Sequence, residues 1–354
     1  ESLAQNTNQV VSEYIRSDRQ NADVVRAGIS CGGDIGIELQ YGGYDEHPEG
    51  AFMNRSATAV NISGTTHSAA NSDNSFNDSG NGYVSGNILQ GMWIKVAGFT
   101  DPANNGYFKV ESVVAGKITV SGGTLVDEVA GDTVTIKNGG YLENGVTSKS
   151  FTLEKQFSDI TEFVAFTGMK VGSFNLNIAP GSIINGSFSF MGKQAASSGA
   201  TVGTGAANAA ATTSVMNGID HVSGVREGNA AATFDITSLS FTMDNALREQ
   251  AAVGNLANIG IGEGTLSVTG TLEIYFEDNT EYAKYLADTE SALSFITTDA
   301  AGNAYVWEIP RLKYGAGNPQ AGGKDQDVLL SLDFTAFRDA TDGNTITVTR
   351  FPVV

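Results

Sequence analysis

The side chains that could do chemistry are scattered rather than gathered. The three histidines, His47, His67 and His221, lie in three loop-like stretches with no spacing that would bring two of them onto one metal ion. Cys31 has no second cysteine, so no disulfide or thiolate cluster forms within the chain. Glu273 and Glu277 place two carboxylates four residues apart on the polar face of one strand. Such a pair could serve as acid and base on a polysaccharide, but a solvated strand face is the simpler reading. The acidic group Asp45, Glu46 and Glu49 beside His47 and Pro48 reads as a solvated loop, and a cation there would need ligands from elsewhere. Gly203-Thr204-Gly205 resembles a phosphate loop without the flanking strand or the Lys-Ser/Thr pair that grips phosphate. Gly260-Ile261-Gly262-Glu263-Gly264 lacks the following helix of a dinucleotide site. Two tryptophans are few for a sugar-binding platform. No catalytic residue, cofactor or metal is expected, and the chain reads as a non-enzyme.

The elements that hold these residues are strands. In Ser173-Phe174-Asn175-Leu176-Asn177-Ile178 and in Asn185-Gly186-Ser187-Phe188-Ser189-Phe190 apolar side chains fall on every second residue, the mark of strands with one dry and one wet face. Ala179-Pro180-Gly181-Ser182 supplies the turn between them. Phe174, Leu176, Ile178, Phe188 and Phe190 should point inward and the Ser/Asn face outward. Gly33 to Tyr41 alternates in the same way. From Met53 to Tyr141 the texture changes to short runs, Trp93–Val96, Tyr107–Val110, Lys117–Val120 and Thr133–Ile136, with a hairpin turn at Asn104-Asn105-Gly106. His67 to Gly82 reads as a long polar loop. Val10 to Gln20 fits either a short amphipathic helix or an arm. Gln194 to Gly228, rich in Ala, Gly, Ser and Thr, reads as a linker or an arm that orders on contact.

Composition agrees with a mostly β protein. The chain has 354 residues, enough for one large or two ordinary domains, and its 43 glycines disfavour helices by about 1 kcal/mol each relative to alanine. In Asn279 to Leu293 the near-helical spacing of Tyr282, Leu286 and Leu293 suggests one helix. The net charge of −19 repels polyanions, so adhesive nucleic-acid binding is not expected. The first twenty residues have no signal-peptide core and no run is long enough to span a bilayer, which suggests a protein made in a cytoplasm. A hairpin-like pattern returns in altered form: Ile184 to Phe190 and Val268 to Ile274 share the order apolar, polar, Gly, hydroxyl, apolar, polar, apolar, and each follows an alternating strand. This echo suggests an internal duplication. The expected division is 1–52 with 142–200 as a first, discontinuous β domain, 53–141 as an inserted small β module, 201–228 as a linker, and 229–354 as a second β domain.

Arg26-Ala27-Gly28-Ile29-Ser30, Gly33-Asp34-Ile35, Glu38 to Gly42, Asn104 to Val110, and above all Ser150 to Asp159 with Ser187 to Lys193 resemble the tail tube (major tail) proteins of long-tailed bacteriophages. The resemblance implies a β-sandwich or barrel subunit with a flanking helix, built into stacked rings whose lumen passes genome DNA and the tape-measure protein. Tail terminator and distal tail proteins would be its other partners, with the virion tail as its location. A tandem pair of such domains implies three chains in a pseudo-sixfold ring, with true hexamers as the alternative.

A wall that lets DNA pass should not bind phosphate, since each Lys or Arg contact adds affinity by releasing counterions. Candidate lumen-lining residues are therefore Asn175, Asn177, Ser187 and Ser189 in the first copy and Glu273, Glu277 and Asp333 in the second. The N-terminal segment and the Gln194 to Gly228 arm are candidates for reaching neighbouring subunits or the next ring. The competing reading is a secreted or surface β-rich carbohydrate-binding or adhesin module.

Overall fold

The computed structural model describes residues 1–44, 46–205, 209–228 and 230–353. The chain opens with a hairpin, β1 (Ala4–Val11) and β2 (Val24–Glu38), followed by α1 (Glu46–Phe52). Seven strands of a separate sheet follow: β3 (Asn61–Gly64), β4 (His67–Ala70), β5 (Ser75–Asp78), β6 (Trp93–Ala97), β7 (Gly106–Val114), β8 (Lys117–Ser121) and β9 (Val134–Lys137). The chain returns through β10 (Gly140–Glu143) to β11 (Phe151–Phe157), the long β12 (Glu162–Ile178), β13 (Asn185–Gly192) and β14 (Gln194–Ser198). After β15 (Val222–Glu227) and β16 (Ala230–Ala231) come β17 (Ile236–Asp244), a small hairpin of β18 (Arg248–Gln250) and β19 (Gly260–Gly262), β20 (Ser267–Tyr275) and α2 (Thr280–Leu286). The chain ends with β21 (Glu290–Thr298), the long β22 (Ala304–Ala321), β23 (Val328–Ala336) and β24 (Thr347–Phe351).

A run of eight antiparallel strands, β1-β2-β13-β12-β17-β20-β23-β22, forms one layer. Alternation puts Phe174, Leu176, Phe188, Leu272 and Phe334 on its dry side, all nearly inaccessible to water. The first halves of the long strands β12 and β22 lie beyond that run, paired with β11 and β14 in one case and with β21 and β24 in the other. They make the second layer of a sandwich: Trp307 of β22 stacks on Phe174 of β12 at 5.9 Å and meets Phe241 of β17 at 5.8 Å. Large aromatic side chains from both layers therefore share one core, and burying each contributes about 1.5–3 kcal/mol. The seven-stranded sheet, ordered β3-β9-β6-β7-β8-β5-β4, has its own core around Phe76, Tyr83, Ile94 and Ile118.

Several local expectations change. His67 to Gly82 is not a loop: β4 and β5 pair there, and Phe76 and the His67 ring are buried, because Phe76 packs on Phe99 and Phe108 and His67 stacks on Tyr83 within the same module. Val10 to Gln20 is not a helix: Val10 and Val11 end β1, and the rest belongs to the exposed loop that joins β1 to β2. Gln194 to Gly228 contributes two strands, β14 against β12 and β15 against β21, since backbone pairing needs no apolar side chains. The acidic stretch is helix α1 rather than a loop, with Asp45 outside the described residues; Gly50, Ala51 and Phe52 are its buried face. The helix expected over Asn279 to Leu293 stops at Leu286, and Leu293 is buried on β21. At Asn104-Asn105-Gly106, Asn105 is extended with φ −111°, and the turn is a short 3-10 segment, Pro102–Asn104, capped by Asp101.

Candidate channel face and open edges

The wet side of the eight-strand layer is where the sequence candidates converge. Asn175 pairs across to Ser187 and Thr242, Asn177 to Asn185 and Ser240, and Ser173 to Ser189. Glu273 stands opposite Ser238 and Ser331, and Asp333 opposite Thr271 and Ala316. Six of the seven candidates, Asn175, Asn177, Ser187, Ser189, Glu273 and Asp333, thus share one face. Glu277 does not: β20 ends at Tyr275, and Glu277 lies in the bend before α2, so the two glutamates do not share a strand face.

Several polar groups on this face bond to one another. The Asn175 amide donates to Ser187 Oγ at 2.6 Å while its oxygen accepts from the Ser187 N–H at 3.1 Å. Thr271 donates to Asp333 at 2.7 Å and Thr237 to Glu273 at 3.0 Å. These bonds hold the side chains in place along the face, and each neutral donor there grips a phosphate far less than a lysine or arginine would. Beyond the candidates, the face carries Asp34, Glu38 and Asp244. Between the strand bulges and the far turns its charged positions are these five carboxylates, with no lysine or arginine among the described residues. At the border formed by the bulges stand two lysines, each paired with a carboxylate: Lys170 with Glu263 at 2.6 Å and Lys313 with Asp288 at 2.5 Å; Lys324 lies in the β22–β23 turn at the other end. Burial pushes the Glu263 carboxyl up, but the hydrogen bond and charge of Lys170 outweigh it and hold it below its ordinary range.

The layer repeats itself. The order β1-β2-β13-β12 is followed by β17-β20-β23-β22, so β1 corresponds to β17, β2 to β20, β13 to β23 and β12 to β22. The helices follow the same rule, α1 after β2 and α2 after β20. Both long strands carry a bulge at a glycine: the register against the partner shifts between Val171 and Ser173 in β12, and between Tyr314 and Ala316 in β22. The residues around the two bulges, Lys170-Val171-Gly172-Ser173-Phe174-Asn175 and Lys313-Tyr314-Gly315-Ala316-Gly317-Asn318, share Lys, Gly and Asn at the same places. Gly33 and Gly270 also correspond, each opposite a phenylalanine, Phe190 and Phe334. A Cβ at either would collide with backbone of the adjacent strand, at Ser2 and Ser240. The duplication is therefore phased differently from the echo of Ile184 to Phe190 in Val268 to Ile274: β20 takes the place of β2, not of β13.

Two edges follow that the sequence reading did not single out. β17 sits against Ser173 to Ile178 of β12, joining the two halves. The corresponding stretch of β22, Ala316 to Ala321, pairs with β23 on one side and with no described strand on the other. The outer edge of β1, counterpart of β17, is likewise unpaired among the described residues. The repeated Lys-x-Gly-x-x-Asn was the signal that could have revealed both.

Among the described residues no group of three or more His, Cys, Asp and Glu could hold a metal ion, and no helix is long and apolar enough to cross a membrane. No curated protein matches the chain. A family model described as phage tail tube protein matches residues 2–336, which takes in both halves of the layer and the seven-stranded sheet. The chain belongs to the phage tail tube protein family.

Proposed function

We propose that three copies of this chain close a ring of the tail tube, with the polar face of the eight-strand layer turned to the lumen. The observation that carries this reading is the pair of open edges. The β12–β17 joint inside one chain is a template for a joint between chains, β22 of one copy against β1 of the next. Unpaired edges invite such addition, and closing the circle removes them. Transferring the internal register puts Gly317 opposite Gln5, Asn318 opposite Ala4 and Pro319 opposite Leu3 of the neighbour. Each chain then supplies two wall units, residues 1–52 with 142–200 and residues 229–354, and 53–141 is an insert on the outside. Three runs of eight strands, spaced by about 4.8 Å and tilted by about 40°, give a barrel about 50 Å across at the backbone. Once side chains are allowed for, that leaves room for a DNA duplex. Six chains would double the diameter.

The lumen of such a ring is acidic, and it conducts DNA and the tape-measure protein without gripping either. Terminator and distal tail proteins cap the stack, and assembly takes place in the host cytoplasm. The test is a cysteine pair, Ala4→Cys with Asn318→Cys. Within one chain these positions lie on opposite outer strands of the eight, several strand spacings apart and far beyond disulfide reach. Oxidation should therefore give covalent species that stop at three chains. Species stopping at six would replace the trimer with a hexamer, and a strictly monomeric product would refute ring closure through these edges.

A further inference from the structure

Lys109 is the one lysine among the described residues that is buried, and two carboxylates are buried against it. It stands on β7 of the insert, opposite Trp93 of β6 and Ser121 of β8. Glu308 faces it from β22 and Asp342 from the turn before β24. The other lysines that meet carboxylates keep their side chains between 20% and 39% exposed, where water solvates the charges. An amine held against a carboxyl group in a site closed to water is the arrangement from which an amide forms.

Three features aim these groups at one another. The Trp93 indole donates to Glu308 Oε2 at 2.8 Å, which leaves Oε1 to face Lys109 Nζ at 2.8 Å. Asp342 is fixed through its backbone, whose N–H donates to Asp339 Oδ1 at 2.8 Å, and its Oδ2 lies 2.6 Å from Nζ. Gly91 lets the chain close over the carboxyl: a Cβ there would lie 3.4 Å from Asp342 Cγ and 3.3 Å from the Tyr141 hydroxyl. Trp93, Val306 and Phe351 share a buried apolar cluster alongside.

We propose that Lys109 Nζ and Asp342 Cγ join in an amide, a covalent link between the insert and the turn before β24, with Glu308 carrying the protons. Glu308 takes a proton from the ammonium, and the nitrogen lone pair attacks Asp342 Cγ as Glu308 returns that proton to a carboxyl oxygen. Glu308 then removes a second proton from nitrogen and delivers it to the hydroxyl so formed, which leaves as water with the C–O bonding pair. The amide keeps one hydrogen on nitrogen, both protons lost by Lys109 end on the water, and Glu308 finishes as the carboxylate it began as. No other reactant enters. An ammonium and a carboxylate vanish from a site where charge is costly, which favours the product. Burial pushes the Glu308 carboxyl up, as the first step requires. Burial opposes the charge on Lys109 as well, but the two carboxylates outweigh it and hold the ammonium. The neutral amine is therefore scarce and the reaction slow, so newly folded chain carries the ion pairs and the amide accumulates with age. The link lies within one chain and is independent of how chains assemble.

The test is the intact mass of the chain recovered from phage particles. It should be one water lighter than the sequence requires, and digestion should release a branched peptide joining the segments around Lys109 and Asp342. Newly purified chain should move to the same mass during incubation at neutral pH. Full mass in chain from particles would overturn the proposal. So would a water lost without a branched peptide, the result expected if Asp342-Gly343 cyclised to a succinimide instead. The Gly343 N–H opposes that route, since it is engaged by the Asp339 carbonyl at 3.1 Å. Glu308→Gln keeps the shape of the side chain but cannot carry a proton. It should retain the near-ultraviolet circular dichroism of a folded chain yet stay at full mass, and linking at the natural rate in this variant would overturn the role of Glu308.

Discussion

The seven-stranded insert is fastened to the first half of β22 and the loop before β24 by charges almost sealed from water, and Lys109→Met tests what they contribute. Lys109 Nζ lies 2.8 Å from Glu308 Oε1 and 2.6 Å from Asp342 Oδ2, and the Trp93 indole donates to Glu308 Oε2 at 2.8 Å. Their side chains are 8%, 3% and 6% exposed for Lys109, Glu308 and Asp342. Burial opposes the charge on Lys109, but the two carboxylates together hold its ammonium above the ordinary lysine range. Burial likewise pushes the Glu308 carboxyl up, against the pull of Lys109. Methionine keeps most of the volume, so the substitution removes a charge without opening a cavity. Stranding buried partners in this way costs about 3–5 kcal/mol. Without Lys109 the folded Glu308 rises further above its unfolded value. A carboxyl in that position takes up a proton on folding, so the deficit is largest near pH 8 and shrinks toward pH 5. Glu308→Gln leaves Lys109 its contact with Asp342 and should cost less, about 1–3 kcal/mol. Urea unfolding followed by tryptophan fluorescence at both pH values measures all three, since Trp93 sits on the cluster itself. A Lys109→Met deficit below about 1 kcal/mol with no pH dependence would refute this account.

Gly270→Ala should cost about 1–3 kcal/mol, because its Cβ would strike the Ser240 carbonyl and the Phe334 ring, whereas Gly36→Ala, which meets nothing within 4 Å, should be near neutral by thermal melting. Burial lowers the pKa of His47 and of His67 below the ordinary 6.5, with Asp78 partly offsetting the effect at His67. Both therefore favour the fold in their neutral form, and stability that is full above pH 6.5 should fall as pH drops below it; urea midpoints from pH 8 to 5 would show this, and His67→Gln should flatten the slope. Glu273→Lys puts a cation on the proposed lumen face and should slow DNA ejection more at low salt than at high salt while rings still form; phage with unchanged ejection kinetics would count against a lining role.

The period-two alternation exposed the inner strands well: Phe174, Leu176, Ile178, Phe188 and Phe190 are all buried as it requires. What it could not show was length. β12 continues upstream of Ser173 to Glu162, and β22 extends from the apolar run at Tyr305 through Gly315, Gly317 and Pro319. Glycine and proline read locally as strand breakers, yet a bulge and an open edge are the places a strand accepts them. The same residues hid the duplication. Corresponding positions of the halves hold Phe174 and Gly317, or Leu176 and Pro319, so a search for like side chains lands on a different strand. Buried ion pairs such as Lys109–Glu308 were equally invisible, because partners two hundred residues apart leave no spacing to read.

Those substitutions have a physical logic under the ring reading. Phe174 lies inside the chain, covered by Trp307 and by β17, and its size is rewarded with burial. Gly317 is held small by its own chain, since a Cβ there would meet Leu332 and the Tyr285 ring of α2, while Pro319 lies on the edge that pairs with no described strand. A leucine at 319 would give every free chain a more apolar edge ready to pair with any other strand, whereas a proline weakens indiscriminate pairing. The cost is a joint between chains weaker than the joint within one, and closure of the circle compensates by satisfying all edges at once. Pro319→Leu sharpens the point. It should strengthen the joint between chains and at the same time drive irregular aggregation of free chains, seen as turbidity at concentrations where the natural chain stays clear. A variant that closed rings more readily without aggregating would show that the edge is not restrained for this reason.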